Sequence, residues 1–282
     1  MTPDQYCQQK TTKSGSSFYY SFLFLTPEKR QAITALYTFC READDIVDDC
    51  IDPAVAESKL NWWREEISNL FANKANHPVT HALTDSLKNF DLHKEYFEEI
   101  IDGMQMDLHI SQYESFNDLL LYCHRAAGVV GLLATEIFGY QHRETLKFAE
   151  NLGIAFQLTN IIRDIKEDAL RGRIYLPIED LKQFNVTQDD LHLPTTRDSV
   201  KQLIRFQIDR ARKYYEKAFA HLHDDDRSKQ RSAVIMSSIY QTLLTEIEKD
   251  DCRIMEHRIK LTPIRKFWIA WKTARREKKL YQ

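Results

Sequence analysis

Two acidic clusters in this chain have the spacing of metal-ligand sites. They are Arg41-Glu-Ala-Asp44-Asp45-Ile-Val-Asp48-Asp49 and Gln157-Leu-Thr-Asn160-Ile-Ile-Arg163-Asp164-Ile-Lys-Glu-Asp168. Residues three and four apart share a helix face, so Tyr37, Arg41, Asp44 and Asp48 form one stripe, with Asp45 beside it. Gln157, Asn160, Asp164 and Asp168 form a second. Like charges stacked this way repel by roughly a few tenths of a kcal/mol per pair, so two such stripes call for a common compensating cation. Mg²⁺ suits the role: it takes one or two carboxylates per site, keeps some of its waters and completes its shell with phosphate oxygens. Two facing stripes would clamp a diphosphate through metal ions. An isolated acidic helix face is often only solvated surface. Here Arg41 and Tyr37 set donors beside the first carboxylates, while Gln157, Asn160 and Arg163 set neutral oxygens and a cation beside the second.

The elements that must position these residues read as helices. Thr26-Pro27-Glu28 has the form of an N-cap, a first-turn proline and an early acid, opening a helix that runs to about Cys50. Pro53 and Pro78 open two more. Apolar residues at three- and four-residue spacing predict helices over 94–109, 115–139, 142–168, 197–222 and 229–249, and no segment shows strand alternation. With 282 residues, 43% apolar content, and only seven Gly and seven Pro gathered into no linker, one large domain is expected. The stretch 169–196 contains Arg171, Arg173, Tyr175 and two prolines, Pro177 and Pro194, without a regular pattern, directly after the second stripe; it is expected to be irregular and to cover the site as a lid.

Bulk properties exclude several classes. A formal charge of −3 exerts no pull toward nucleic acid. The five cysteines are odd in number and scattered without zinc-ligand spacing, which fits a reducing cytoplasm. The early apolar run Phe18 to Leu25 is broken by Ser21 and is too short to span a bilayer, so neither export nor a transmembrane anchor is expected.

Further motifs stand around the stripes: Ser16-Ser17-Phe-Tyr19-Tyr20-Ser21-Phe, Asp102-Gly-Met-Gln-Met-Asp107-Leu, Tyr122-Cys-His-Arg-Ala-Ala-Gly128-Val-Val-Gly131 and Gly172-Arg-Ile-Tyr-Leu-Pro177. With the two acidic helices they resemble the squalene/phytoene synthase family, in the family's order and over nearly the whole chain. Within the family, the likeness is greatest to bacterial presqualene diphosphate synthases of hopanoid pathways.

The resemblance implies an all-α, single-domain isoprenoid-synthase bundle with a central active-site cavity. It implies a prenyltransferase that condenses two farnesyl diphosphates head to head into presqualene diphosphate, which a downstream enzyme consumes. Mg²⁺, replaceable by Mn²⁺, maps onto Asp44, Asp48, Asn160, Asp164 and Asp168; NADPH is not expected. Substrate contacts map onto Ser14, Gly15, Ser16, Ser17, Tyr37, Arg41, Gln157, Arg163 and Tyr240, with Arg173 added by the lid reading. Ser14 to Ser17 lacks the His that some relatives carry there. Arg41 and Arg163 would stabilise the departing diphosphate, and Tyr122 is the candidate for assisting proton removal. Ala126, Ala127, Gly128 and Gly131 would let an isoprenoid chain pass close to the backbone. Asp102 and Asp107, five apart, do not share a face, and hydrogen bonding suits them better than a third metal site. The competing readings are a phytoene synthase using geranylgeranyl diphosphate, a squalene synthase using NADPH and a non-catalytic scaffold relative; the last predicts broken Asp pairs, and both are intact.

The chain divides at its end into a 1–263 synthase domain and a 264–282 basic tail. Residues 253–282 hold ten Lys/Arg against two Glu, and Ile264, Phe267, Trp268 and Trp271 fall on one helical face. Such a pattern suits an anionic membrane surface, and equally a terminal helix docked on the bundle. The expected location is the cytoplasm, with peripheral contact at the inner face of the membrane.

Overall fold

Prolines begin the long helices near the first acidic stripe, as their spacing predicts. In the computed structural model, which describes residues 1–13 and 18–280, Pro27, Pro53 and Pro78 each open a helix. The helices of the first half are α1 (Pro3–Lys13), α2 (Phe18–Phe22), α3 (Pro27–Asp49), α4 (Pro53–Phe71), α5 (Pro78–Asn89) and α6 (Lys94–His109). Then follow α7 (Phe116–Cys123), α8 (Val129–Phe138), α9 (Glu144–Leu170) and α10 (Ile178–Gln183). The last four are α11 (Asp198–Ala220), α12 (Asp224–Arg227), α13 (Arg231–Lys249) and α14 (Pro263–Leu280). No strand occurs among the described residues, only an isolated bridge between Gln112 and Ile174.

Caps fix some of these starts. Asp52 accepts the Ala54 N–H at 2.9 Å ahead of α4, and His77 with Thr80 forms a reciprocal cap at α5. Thr26 stands at the N-cap of α3 in extended conformation without a side-chain bond, so Pro27 is the feature that starts that helix. The sequence pattern misses α1, which is almost wholly polar and buries only Cys7 and Thr11. It also reads 115–139 as one helix, whereas a π-helical turn over His124–Gly128 separates α7 from α8. Such turns occur often at functional sites.

Two apolar cores form. One gathers α1, α3 to α6 and α8 around Leu36, Phe39, Leu60, Ile67 and Phe97; the other gathers α7, α9, α11, α13 and α14 around Leu158, Ile162, Ile204, Tyr215 and Ile239. Each fully buried side chain of this kind contributes about 1.5–3 kcal/mol. Between the cores lies a cavity of about 800 Å³, lined from one side by Leu36, Ile100 and Met104 and from the other by Leu152, Tyr240 and Leu243.

Glycine lets the helices flanking this cavity close up. A Cβ at Gly153 of α9 would stand 2.3 Å from the Ala127 carbonyl oxygen, and one at Gly131 of α8 would stand 2.4 Å from that of Ala149. Gly131 thus has a packing role beside the one expected of it. Although it lines the cavity with Ala126 and Ala127, its missing Cβ is required first by backbone-to-backbone packing against α9.

The terminal helix docks on the bundle. Ile269, Ala270 and Ala274 of α14 belong to the second core, and Glu277 is buried in an ion pair with Arg227, Oε2 to Nε 2.7 Å. The face the sequence groups as apolar is a different one: Ile264, Phe267, Trp268 and Trp271 are 82%, 51%, 54% and 42% exposed.

Candidate active site

Helix α3 carries Tyr37, Arg41, Asp44 and Asp48 along one stripe, helix α9 carries Gln157, Asn160, Asp164 and Asp168 along another, and all eight line the cavity. The helical period that suggested the two stripes places them in one chamber. Ser14, Gly15, Ser16 and Ser17 lie outside the described residues.

Arginines hold most of the carboxylates. Arg41 reaches Asp44 at 3.0 Å and Asp45 at 2.6 Å. Asp48 is shared by Arg171 at 3.0 Å and Arg173 at 2.9 Å, and Arg173 also donates to the Val47 carbonyl at 2.8 Å. Asp164 takes both arms of Arg163, with Nε at 2.7 Å, and the Nε of Arg258 at 2.7 Å. Asp168 has no cation at ion-pair distance among the described residues.

Electrostatics separates these carboxyls. Burial pushes the Asp168 carboxyl up to about 7, with Asp164 adding repulsion. Asp44, although open to the cavity, is enclosed by protein; that enclosure and then Asp48 push it up to about 6. Asp164 goes the other way: burial raises it, but Arg163 and Arg258 outweigh burial and hold it below its ordinary value.

The residues fit a divalent ion. Beyond the crowded carboxylates, the Oδ1 of Asn160 is buried without a hydrogen-bond partner, while its Nδ2 donates to Gln157 at 3.4 Å. An orphaned buried oxygen costs about 1–3 kcal/mol, and here it lies one turn from Asp164 in a set of hard oxygen donors. Among the described residues, His142, His223 and Asp225 also bring ligand atoms together, but they stand beyond the opposite end of α9 from Asp168, on the order of 40 Å along the helix. They play no part in this chamber.

Tyr122 belongs to a buried network that linear spacing does not reveal. Its Oη donates to Asp107 Oδ2 at 2.9 Å, Tyr175 Oη donates to Asp107 Oδ1 at 2.8 Å, and Gln157 Nε2 donates to the Tyr122 oxygen at 3.3 Å. The rings of Tyr122 and Tyr175 stack with centroids 5.1 Å apart. Burial drives the Asp107 carboxyl up to about 7, against the pull of Tyr175, Arg173 and Tyr122, and drives the Tyr122 phenol well above its ordinary value. The expected hydrogen-bonding role of Asp107 is thus met inside the chamber, whereas Asp102 pairs with Arg64 at 2.6 Å.

The segment expected as a lid is a pinned wall. Ile174 N–H donates to Ser111 O at 2.9 Å and Ile178 N–H to Tyr113 O at 2.9 Å, tying residues 174–178 to the chain after α6. Arg171, Arg173 and Tyr175 line the cavity from this fixed backbone. Aromatic rings complete the lining: Phe156 meets Tyr240 at 4.8 Å, and Phe18 lies 5.6 Å from Tyr37. Sequence reasoning missed Arg258, Lys260 and Lys266, which line the same cavity from the α13–α14 connection and the first turn of α14. Their basic character is visible in the sequence, but nothing in their spacing links them to α9.

Comparisons with known proteins agree with this geometry. The squalene/phytoene synthase family model matches residues 11–265. A phytoene synthase from Arthrospira platensis is 37% identical over 268 residues, covering 89% of this chain and 86% of that one. A 15-cis-phytoene synthase from Synechocystis is 35% identical, covering 89% and 78%. Among solved structures, a ligand complex of a dehydrosqualene synthase superposes with a TM-score of 0.88 at 28% identity, covering 98% of this chain and 97% of its own. Squalene synthase HpnC from Alicyclobacillus acidocaldarius gives 0.79 at 27%, covering 89% and 95%. Paired acidic helices around an apolar chamber, and a match running through nearly all of the chain, place the protein in the squalene/phytoene synthase family, prenyltransferase-type enzymes that condense prenyl diphosphates head to head.

Proposed function

We propose that this chain condenses two farnesyl diphosphates into presqualene diphosphate and releases it to a downstream enzyme. The observation that carries the reading is one cavity with two characters: an acidic pole in which Asn160 Oδ1 stands unpaired among carboxylates, and an apolar, aromatic interior. Bound Mg²⁺, or Mn²⁺ in its place, would be held by Asp44, Asp48, Asn160, Asp164 and Asp168 and would neutralise charge on the departing diphosphate.

The chain's own residues do the rest. Arg41, Arg163, Arg173 and Arg258 each hold one of these carboxylates, and with the carboxylates turned to a bound metal each guanidinium would be a bidentate donor for phosphate oxygens. Those donors stabilise the leaving group as the carbon–oxygen bond breaks. The apolar walls exclude water from the allylic cation left behind, and the faces of Phe18, Tyr37, Phe156 and Tyr240 attract it. The 2,3-double bond of the second chain attacks, and loss of a proton closes a cyclopropane that retains one diphosphate. Tyr122 takes that proton on its oxygen while its own proton passes to Asp107, 2.9 Å away. The reaction involves no net reduction, so it needs no NADPH.

The names of the most similar curated relatives favour a second reading, condensation of geranylgeranyl diphosphate. The names of the solved structures that superpose over most of the chain favour farnesyl diphosphate. Incubating the protein with Mg²⁺ and either substrate, with and without NADPH, separates them. Presqualene diphosphate from farnesyl diphosphate, unchanged by NADPH, is the expected product; phytoene from geranylgeranyl diphosphate would establish the second reading.

A further inference from the structure

Helix α14 packs one face into the bundle and leaves the opposite one in water. Ile269, Ala270 and Ala274 pack inward, and the helix's single acidic residue, Glu277, is turned into the protein against Arg227. The outward side therefore carries no negative charge to offset its cations. It presents the exposed row Ile264, Phe267, Trp268 and Trp271, with Lys272 4.9 Å over the Trp268 ring and Arg275 4.8 Å over the Trp271 ring. Arg276 and Lys278 are exposed as well, and no ion pair engages Lys272, Arg275, Arg276 or Lys278 among the described residues. Four large apolar side chains kept in water on one helix form an unusual patch for a protein surface. Two tryptophans among lysines and arginines are the composition of a helix lying in a lipid interface, its rings at headgroup level and its cations on the lipid phosphates.

The position of the helix gives this patch a role. The first turn of α14 is part of the chamber: Pro263 and Lys266 line it together with Lys260 and Arg258, and Arg258 is bonded to Asp164. The exposed row begins at Ile264, between two of those lining residues.

We propose that the outer face of α14 docks this enzyme on an anionic bilayer, setting the basic edge of its chamber at the lipid surface so that prenyl chains pass between bilayer and cavity. The role in chain transfer rests on the prenyl diphosphate reading above; the docking itself does not. Charge complementarity selects the occupant. A second copy of the chain would bring an identical cationic face against this one, and like charges repel.

The test sediments the full chain with vesicles of mixed phosphatidylglycerol and phosphatidylcholine, or of phosphatidylcholine alone. Binding to the anionic vesicles that falls as salt rises, and weak binding to neutral ones, is expected. Trp268→Ser/Trp271→Ser should lower the bound fraction at least ~10-fold, since each ring contributes buried apolar area. Both side chains are about half exposed, and an unchanged circular dichroism spectrum and condensation rate in detergent are expected for the variant. Equal binding of variant and wild type would overturn the proposal, as would equal binding to neutral and anionic vesicles. A wild-type dimer dissociated by the same pair of substitutions would overturn it too, assigning the face to a second copy. Sedimentation is read without turnover, so a failure here is distinct from a failure of the catalytic reading.

Discussion

Asp107 shows how a single residue's role depends on partners far away in the chain. It is 8% exposed and accepts hydrogen bonds from Tyr122, fifteen residues on, and Tyr175, sixty-eight residues on. Its carboxyl rises from an ordinary 3.8 to about 7 because burial penalises the charge. A carboxyl raised on folding contributes stability that is complete below its ordinary value and is lost as pH rises through about 7. Asp107→Asn removes that term. The stability of the variant relative to wild type should therefore rise between pH 5 and 8 by on the order of 2–4 kcal/mol, read by urea unfolding at each pH without added metal. An unchanged difference across that range would contradict the burial of an ionisable Asp107. The same substitution should lower turnover by ~10² or more while leaving KM little changed, because Asn cannot receive the phenol's proton.

At the level of elements, legibility tracks how local the cause is. The two stripes were readable because a 3.6-residue period within one helix fixes which side chains share a face, and α3 and α9 deliver Asp44, Asp48, Asn160, Asp164 and Asp168 to one chamber accordingly. Pro27, Pro53 and Pro78 were readable because proline acts on its own backbone. The Asp107–Tyr122–Tyr175 network and the bond from Arg258 to Asp164 were not, since each joins separate elements through contacts no periodicity encodes. The segment after α9 reads as irregular and Arg-bearing, but the structure sets α10 within it, and its pinning to the chain after α6 comes only from tertiary hydrogen bonds. Gly153 belongs with these. It sits mid-helix, where glycine costs about 1 kcal/mol, yet a methyl group there would meet the Ala127 oxygen at 2.3 Å. Gly153→Ala should therefore destabilise by ~1–3 kcal/mol despite its better helix propensity, measured by denaturant unfolding. A stabilised variant would show that α9 and the π turn are not in close contact.

On the scale of the whole molecule, the two cores are separated by a chamber that each lines, and most of the chamber's charged lining comes from α3, α9, the segment after α9 and the connection to α14. Stability is supplied by the cores, which leaves the chamber free to hold crowded carboxyls and an unpaired amide oxygen that a packed interior would exclude. On the proposed function, this chamber joins two prenyl diphosphates and stops with one diphosphate still attached. Counting inorganic diphosphate released against farnesyl diphosphate consumed tests it most directly, with Mg²⁺ present and then chelated. One diphosphate released for every two substrates consumed, dependent on the metal and accompanied by presqualene diphosphate, is the expected result. Release of one diphosphate per substrate with farnesol as the only lipid, or no consumption with Mg²⁺ present, would contradict it.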